Sequence, residues 1–196
     1  MIPDLDPTSG RLPFQGADRP YTTTLDEFES RFVDHAPGEA RRRLIWDAFS
    51  VWLRLARDTL PGARLWVSGS FITEKTAPSD IDVVLVIRPE HGPVLGPVLD
   101  PRVRVLLTHL NVESTQPGGL VARLQPIGGL LDGFVCPEQY REIVDFWQQA
   151  WSTEFDKTTC APTGVRMGYL AGPRKGRVLA GQGACDGSFG VAGVVA

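Results

Sequence analysis

The apolar residues change their spacing along the chain, and each spacing indicates one kind of secondary structure. Leu25, Phe28 and Phe32 recur with a helical period directly after Thr24. The stretch Thr24-Leu-Asp-Glu27 has the capping-box spacing, in which the hydroxyl and the carboxylate satisfy backbone amides of a first helical turn. A short helix is therefore predicted to begin here.

A second, longer helix is predicted from about Glu39 to Asp58, between Pro37-Gly38 and Pro61-Gly62. Its apolar residues form a wide face, and we expect a face of this width to be buried. The positions of this face are Leu44, Ala48, Val51 and Leu55, broadened by Ile45, Phe49 and Trp52.

Two strands are predicted after this helix. Arg64–Ser68 is short and ends at Gly69-Ser70, whereas Asp80–Ile87 is β-branched almost throughout. The second of these strands carries apolar residues on both faces, which is typical of a strand in the middle of a sheet.

The next part of the chain predicts two helices and one strand. Asp100-Pro101 begins a helix whose apolar spacing continues to Leu110. Leu130–Cys136 forms a short strand, and Pro137-Glu138 opens a helix that reaches Trp151. From the second helix onward, the predicted order is helix, strand, a short helix beginning near Ser70, strand, helix, strand, helix. This order indicates an α/β protein of the α+β type, with a small mixed β-sheet flanked by helices.

Length and composition favour one soluble globular domain. The chain has 196 residues, of which 42% are hydrophobic and 22% charged, close to the globular average. We expect residues 1–23 to form an extended N-terminal arm with no chemistry of its own. Residues 24–170 would form the domain, and residues 171–196, rich in glycine and alanine, a flexible tail.

Charge, hydropathy and cysteine content exclude several functional classes. The formal net charge of −3 provides no overall basic field for non-specific binding of nucleic acid. No apolar stretch approaches the ~20 residues of a membrane span, and the acidic N-terminus is unlike a secretory signal, so a cytoplasmic protein is expected. Cys136, Cys160 and Cys185 have no paired spacing, which favours ordinary thiols over disulfides or a zinc site.

One region combines residues that suit phosphate chemistry. Asp80 and Asp82 stand two residues apart at the start of the predicted central strand, so their side chains project from the same face about 6 to 7 Å apart. Two adjacent carboxylates repel each other unless a cation is shared between them, and hard oxygen ligands suit Mg²⁺ or Mn²⁺. Gly69-Ser70, at the end of the preceding strand, allows the backbone and the serine hydroxyl to approach a phosphate.

Lys75 lies between these two elements and fits two roles. It could neutralise a triphosphate, or it could be a solvated lysine of an exposed loop. The sequence favours neither role.

These motifs together resemble the polymerase-β-type nucleotidyltransferase superfamily, and within it small stand-alone bacterial and phage members. The resemblance rests on Gly69-Ser70, a nine-residue spacer and Asp80-Ile-Asp82, and it spans roughly residues 20–155. It implies a nucleotidyltransferase-like core that transfers a nucleoside monophosphate from a nucleoside triphosphate and releases pyrophosphate. By this resemblance Gly69 and Ser70 bind phosphate, and Asp80 and Asp82 bind Mg²⁺ or Mn²⁺.

The same resemblance implies a third carboxylate on a later strand, as metal ligand and as the group that orients or deprotonates the acceptor hydroxyl. Asp132 is the preferred candidate because it is the sole acidic residue in the apolar run 130–136. Glu113 is the rival, since a strand from His109 to Glu113 would place it comparably.

Other polar and aromatic residues have simpler interpretations. Arg41-Arg-Arg43 could meet an RNA backbone, but charge on a helix surface is favoured. Trp147 and Trp151 fit core packing better than base stacking.

The acceptor of the transferred nucleotide stays open at this stage. An RNA, such as a tRNA end, or a partner protein is preferred, as in toxin–antitoxin members of the superfamily, because little chain is left for an acceptor domain. A catalytically silent binding module of the same fold is the second hypothesis, and a glycosyltransferase that uses Asp80-Ile-Asp82 is the third.

Overall fold

The computed structural model of the chain describes residues 1–91, 100–112, 121–155 and 161–172. The strands are β1 (Tyr21–Thr22), β2 (Arg64–Ser68), β3 (Ile81–Ile87), β4 (His109–Val112), β5 (Val121–Leu124), β6 (Leu131–Pro137), β7 (Thr153–Phe155), β8 (Pro162–Arg166) and β9 (Leu170–Ala171). The helices are α1 (Leu25–Glu29), α2 (Glu39–Thr59), α3 (Pro101–Arg104), α4 (Pro126–Gly129) and α5 (Arg141–Trp151).

Five of the strands form one mixed sheet in the order β1-β9-β2-β3-β6. β1 and β9 are parallel, as are β3 and β6, whereas β2 is antiparallel to both β9 and β3. Two further pairs, β4 with β5 and β7 with β8, form separate antiparallel hairpins. The sheet and its helices confirm the α+β class with a small mixed sheet.

β3 is the buried strand of this sheet, as its apolar residues predict. Ile81 and every residue from Val83 to Ile87 are buried, and β3 is hydrogen-bonded on both sides, to β2 and to β6. Burial on both faces explains why this strand shows a continuous apolar run rather than an alternating one.

The apolar face of α2 is only partly buried, which corrects the expectation for this helix. Leu44, Val51 and Leu55 remain 50%, 44% and 45% exposed. The buried side is centred instead on Ile45, Phe49 and Trp52, together with Trp46, Leu53 and Ala56. Since successive residues turn by about 100° around a helix, the two sets lie on neighbouring faces. The helix is apolar over a wider arc than the core covers.

The helix predicted from Asp100 to Leu110 ends much earlier. α3 has one turn and stops at Arg104, and His109–Val112 forms β4. Two tertiary hydrogen bonds replace helical ones: the Trp52 indole donates to the Leu106 carbonyl at 2.8 Å, and the Thr108 amide donates to the Gly133 carbonyl at 2.6 Å. Contacts with α2 and β6 therefore override the local helical spacing.

Both ends of the described chain contribute to the sheet. β1 lies at the end of the predicted arm, and Leu12 of the same arm is buried in the core. Ala171, expected at the start of the tail, lies in β9 between β1 and β2. Residues 173–196, which make up the rest of the expected tail, lie outside the described part of the chain.

Two expectations from composition can be compared with these coordinates. Within the described ranges, no helix is long and apolar enough to cross a membrane. Cys136 is a buried free thiol, and burial raises its pKa to about 12, so the thiol is protonated at neutral pH. Cys160 and Cys185 lie outside the described residues.

Leu170 tests the role of β9 as part of the core. Its side chain is fully buried, so we expect Leu170→Ala to lower the free energy of unfolding by about 2–5 kcal/mol. Val165→Ala, on the exposed strand β8, is the matched control and should change it by less than about 1 kcal/mol. Urea denaturation measures both values, and an equal, small loss in both variants would contradict the placement of β9 in the core.

Candidate functional site

Strand register places three polar residues in one row across the sheet. Ser68 of β2 lies opposite Asp82 of β3, and Asp82 lies opposite Asp132 of β6. Paired residues on adjacent strands share a face of the sheet, so Asp82 and Asp132 are neighbours on the same face. Asp132 therefore lies next to Asp82, and its role as the third metal ligand and as the base stays a prediction.

Gly69 brings the turn after β2 directly against Asp82. Its φ is +80°, and a Cβ at this position would overlap the Oδ2 atom of Asp82. Glycine is required here for two reasons, the positive φ and the absent side chain. The turn continues as a 3₁₀ turn, Ser70–Ile72, so the predicted short helix after Gly69 is observed.

Asp132 is a fully buried carboxylate with two polar partners. Thr108 donates its hydroxyl to Asp132 Oδ1 at 2.6 Å, and the Arg123 guanidinium pairs with Oδ2. Thr108 also accepts a hydrogen bond from the Gly133 amide, which fixes the hydroxyl in place. Glu113, the rival third acid, lies outside the described residues.

Asp80 precedes β3 and lines the same cleft as Asp82. Its Oδ1 accepts a hydrogen bond from the Ser79 hydroxyl at 2.8 Å, and its Oδ2 accepts one from the Gln125 side-chain amide at 2.9 Å. Gln125 stands two residues after Arg123, so the segment that follows β5 contacts Asp80 while β5 itself contacts Asp132.

Arg42 is buried completely and holds the segment that carries Ser70 and Lys75. Its guanidinium donates to five backbone carbonyls at 2.6–2.9 Å, which uses all five of its N–H groups. The acceptors are the carbonyls of Phe32, Pro37, Phe71, Thr73 and Lys75. Burial lowers the pKa of Arg42, as expected for a cation removed from water.

The neighbouring arginines have structural roles as well. Arg41 donates to the carbonyls of Pro78 and Ser79, and Arg43 forms ion pairs with Glu29 and Asp34. Both interpretations of the three arginines are therefore wrong for Arg42, which faces neither RNA nor solvent. The sequence already indicated that the three arginines have different surroundings, because consecutive residues point in three directions around a helix.

The turn, Asp80 and Asp82 border an open cleft of about 1100 Å³. Lys75 and Arg123 also line it. This volume slightly exceeds the usual range for small-molecule sites, roughly 300–1,000 Å³. The side chain of Lys75 is thus placed where a triphosphate contact is feasible, and that contact stays a prediction.

The N-terminal arm supplies one wall of this cleft, which the sequence did not suggest. The Gly10 carbonyl accepts a hydrogen bond from the Glu74 amide at 3.0 Å, and Arg11 pairs with Glu154 of β7. These contacts fasten residues 7–11 between the Ser70 turn and β7. The arm contains no catalytic motif, so its contribution to the cleft has no signal in the sequence.

The carboxylates can be compared with what a divalent cation needs. Among the residues that the structure describes, no group of three or more His, Cys, Asp or Glu side chains is arranged to hold a metal. Asp82 and Asp132 fit a shared ion in their chemistry, because both supply hard oxygen atoms and they lie opposite each other in register. Asp132 is fully buried, however, and its carboxylate pairs with Arg123. Asp80 fits the same cleft but is turned toward Gln125.

The chain is an α+β protein whose candidate site lies where β2 ends and β3 and β6 begin. Residues 3–170 match the sequence model of a family of unknown function, DUF6932, and the chain belongs to this family. Comparison with curated proteins and with solved structures gives no match.

Two glycines test the contact between the turn and Asp82. Gly69 and Gly62 have almost the same positive φ, +80° and +82°, but the nearest atom to a Cβ at Gly62 is Arg88 Cζ at 3.9 Å. Gly62→Ala should cost about 1–2 kcal/mol of unfolding free energy from backbone strain alone. Gly69→Ala should cost clearly more, because its ψ of −168° lies in a region essentially restricted to glycine and the new methyl group also overlaps the Asp82 carboxylate. Urea denaturation of the two variants measures the difference, and equal losses would refute the close contact.

Arg42 tests the loop anchor. Arg42→Met leaves five inward-facing carbonyls without a donor, and we expect it to lower the free energy of unfolding by about 3 kcal/mol or more. Arg43→Met is the matched control on the same helix and should have a much smaller effect, because its ion pairs are exposed to solvent. If both variants show the same small loss in urea denaturation, the anchor assigned to Arg42 is wrong.

Proposed function

We propose that this protein is a divalent-metal-dependent nucleotidyltransferase that transfers a nucleoside monophosphate from a nucleoside triphosphate to an acceptor and releases pyrophosphate. The observation that carries the proposal is the pairing of Asp82 with Asp132 across β3 and β6, together with the Gly69 turn that lies against Asp82 at the open cleft. The resemblance of Gly69-Ser70 and Asp80-Ile-Asp82 to the polymerase-β-type signature supports the same reaction.

The proposed cation would be Mg²⁺ or Mn²⁺ held by Asp82 and Asp132, with Asp80 as a further ligand. Such an ion supplies charge neutralisation for the attacking and leaving oxygens of an in-line displacement. The two carboxylates would hold it between β3 and β6, because these strands place Asp82 and Asp132 opposite each other. Carboxylate oxygens are the ligands that these cations prefer in proteins.

The turn after β2 would bind the phosphates of the triphosphate. Gly69 has no side chain to keep an anion away from the backbone, and Ser70 adds a hydroxyl at the cleft. Lys75, on the segment that Arg42 anchors, would neutralise part of the phosphate charge. Together these residues would hold the leaving pyrophosphate.

Asp132 would orient the acceptor hydroxyl and accept its proton. Its Oδ1 is committed to Thr108 and its Oδ2 to Arg123, so Oδ2 is the atom that becomes available when Arg123 moves. A buried carboxylate held in one orientation suits this role because its geometry is set before the substrate arrives.

The size of the cleft favours an acceptor that enters together with the nucleotide. At about 1100 Å³ the cleft is larger than many single-ligand pockets. An RNA end or a side chain of a partner protein would fit this opening.

One observation favours a second candidate, a catalytically silent binding module. Arg123 already neutralises Asp132, and no three-acid metal group is arranged within the described residues. A site with a permanent arginine partner would bind nucleotides or a protein without transferring a phosphoryl group. This candidate and the transferase differ in one measurable property, the appearance of a covalent nucleotide on an acceptor.

The test is incubation of the purified protein with each labelled triphosphate, Mg²⁺ or Mn²⁺, and total cell RNA or protein. We expect label on one class of macromolecule and release of pyrophosphate. Asp82→Asn and Asp132→Asn should each reduce labelling by about 10²-fold or more, since each removes a negatively charged ligand of the reaction centre. Asp145→Asn, on the exposed face of α5, is the control. Labelling that survives in the Asp82→Asn/Asp132→Asn double variant would refute the proposal.

A further inference from the structure

The ion pair of Arg123 with Asp132 occupies the carboxylate that the proposed reaction requires. The Asp132 side chain is fully buried, whereas the Arg123 side chain is 49% exposed and lines the cleft. The two partners therefore have different freedom to move. Asp132 is fixed by Thr108 and by its strand, and Arg123 reaches it from the β4–β5 hairpin.

The charges of the site explain why a cation is needed there. Asp82 and Asp132 are neighbours in register on one face of the sheet, and two adjacent carboxylates repel each other in a poorly solvated environment. A buried carboxylate without a partner is strongly destabilising. The guanidinium of Arg123 supplies the positive charge on the side of the cleft, where a divalent cation shared by the two acids would also lie.

The surroundings of Arg123 allow it to leave this position. Its guanidinium carbon lies 6.0 Å from the centre of the Phe134 ring, the next-but-one residue after Asp132 on β6. This aromatic face offers a nearby contact that does not require the carboxylate. Because half of the side chain is already exposed, displacement into the cleft buries no new charge.

We propose that Arg123 and a divalent cation are alternative partners of the Asp82–Asp132 pair, so that Arg123 sets the affinity of the site for metal. The proposal rests on the metal site of the proposed function and assigns to it a residue that limits metal loading. In the metal-free protein Arg123 neutralises the acids; on loading, the guanidinium is displaced into the cleft.

The experiment titrates Mn²⁺ into the full-length protein without nucleotide and follows free Mn²⁺ by electron paramagnetic resonance. We expect Arg123→Met to bind Mn²⁺ about tenfold or more tightly than the unchanged protein, because the competing cation has been removed. Arg141→Met removes a comparable but exposed arginine–aspartate pair on α5, and it should leave the affinity within about twofold. Equal or weaker Mn²⁺ binding by Arg123→Met overturns the proposal.

The same comparison in an Asp132→Asn variant separates competition between Arg123 and Mn²⁺ from an indirect structural effect of the Arg123 substitution. With Asp132→Asn in place, Arg123→Met should change the Mn²⁺ affinity by less than about twofold, since the shared partner of the two cations is gone. Thermal unfolding gives an independent readout, in which Mn²⁺ should raise the Tm of Arg123→Met more than that of the unchanged protein. A tenfold gain that persists in the Asp132→Asn background overturns the proposal.

The experiment distinguishes a variant that fails to fold from a failure of the proposed function and from a failure of this inference. If Arg123→Met folds only with Mn²⁺, the proposal is supported. If it does not fold at all, Arg123→Lys is titrated under the same criteria. We expect Arg123→Lys to bind Mn²⁺ more tightly than the unchanged protein, because a lysine cannot reproduce the planar guanidinium contact. Absent nucleotide transfer with intact Mn²⁺ competition refutes the transferase alone. Transfer with no effect of Arg123 on Mn²⁺ affinity refutes only this inference.

Discussion

The five hydrogen bonds of Arg42 are the constraint on which the candidate site depends. A guanidinium without solvent contact is costly to bury, and here five carbonyl oxygens replace its hydration. Three of those carbonyls, from Phe71, Thr73 and Lys75, belong to the segment that follows the Gly69 turn. An irregular segment with few backbone partners of its own is thereby fixed to a long helix.

The turn after β2 and the carboxylates of β3 and β6 meet at the cleft, and different contacts hold each of them. The turn is held from one side by α2, and the carboxylates are held from the other side by the register of β3 with β6. Gly69 is the point of contact, since its missing side chain leaves room for the Asp82 carboxylate. This arrangement brings the Gly69 turn against Asp82 and sets Asp82 opposite Asp132, which is the physical basis of the proposed nucleotidyl transfer. It also lets Arg123 pair with Asp132.

Much of the site could be read from local patterns. The alternation of side chains along a strand predicts that Asp80 and Asp82 share a face, and the acid expected in the next apolar run, Asp132, lies opposite Asp82. The contacts of Arg123 could not be read in this way, because they depend on where the β4–β5 hairpin lies against β6. The same is true of Gly10 and Arg11, whose partners are distant along the chain.

Local patterning was sufficient for the α+β class, the central strand β3, the short turn after Gly69 and the helix α2, because propensity, capping and apolar period are properties of neighbouring residues. Tertiary contacts determine which face of α2 is buried, where α3 ends and how β9 pairs with β1 in the sheet. It also turned Arg42 inward and Arg123 toward Asp132. Long-range hydrogen bonds and charge pairs have no period along a sequence, so they become visible only when the segments that make them are packed together.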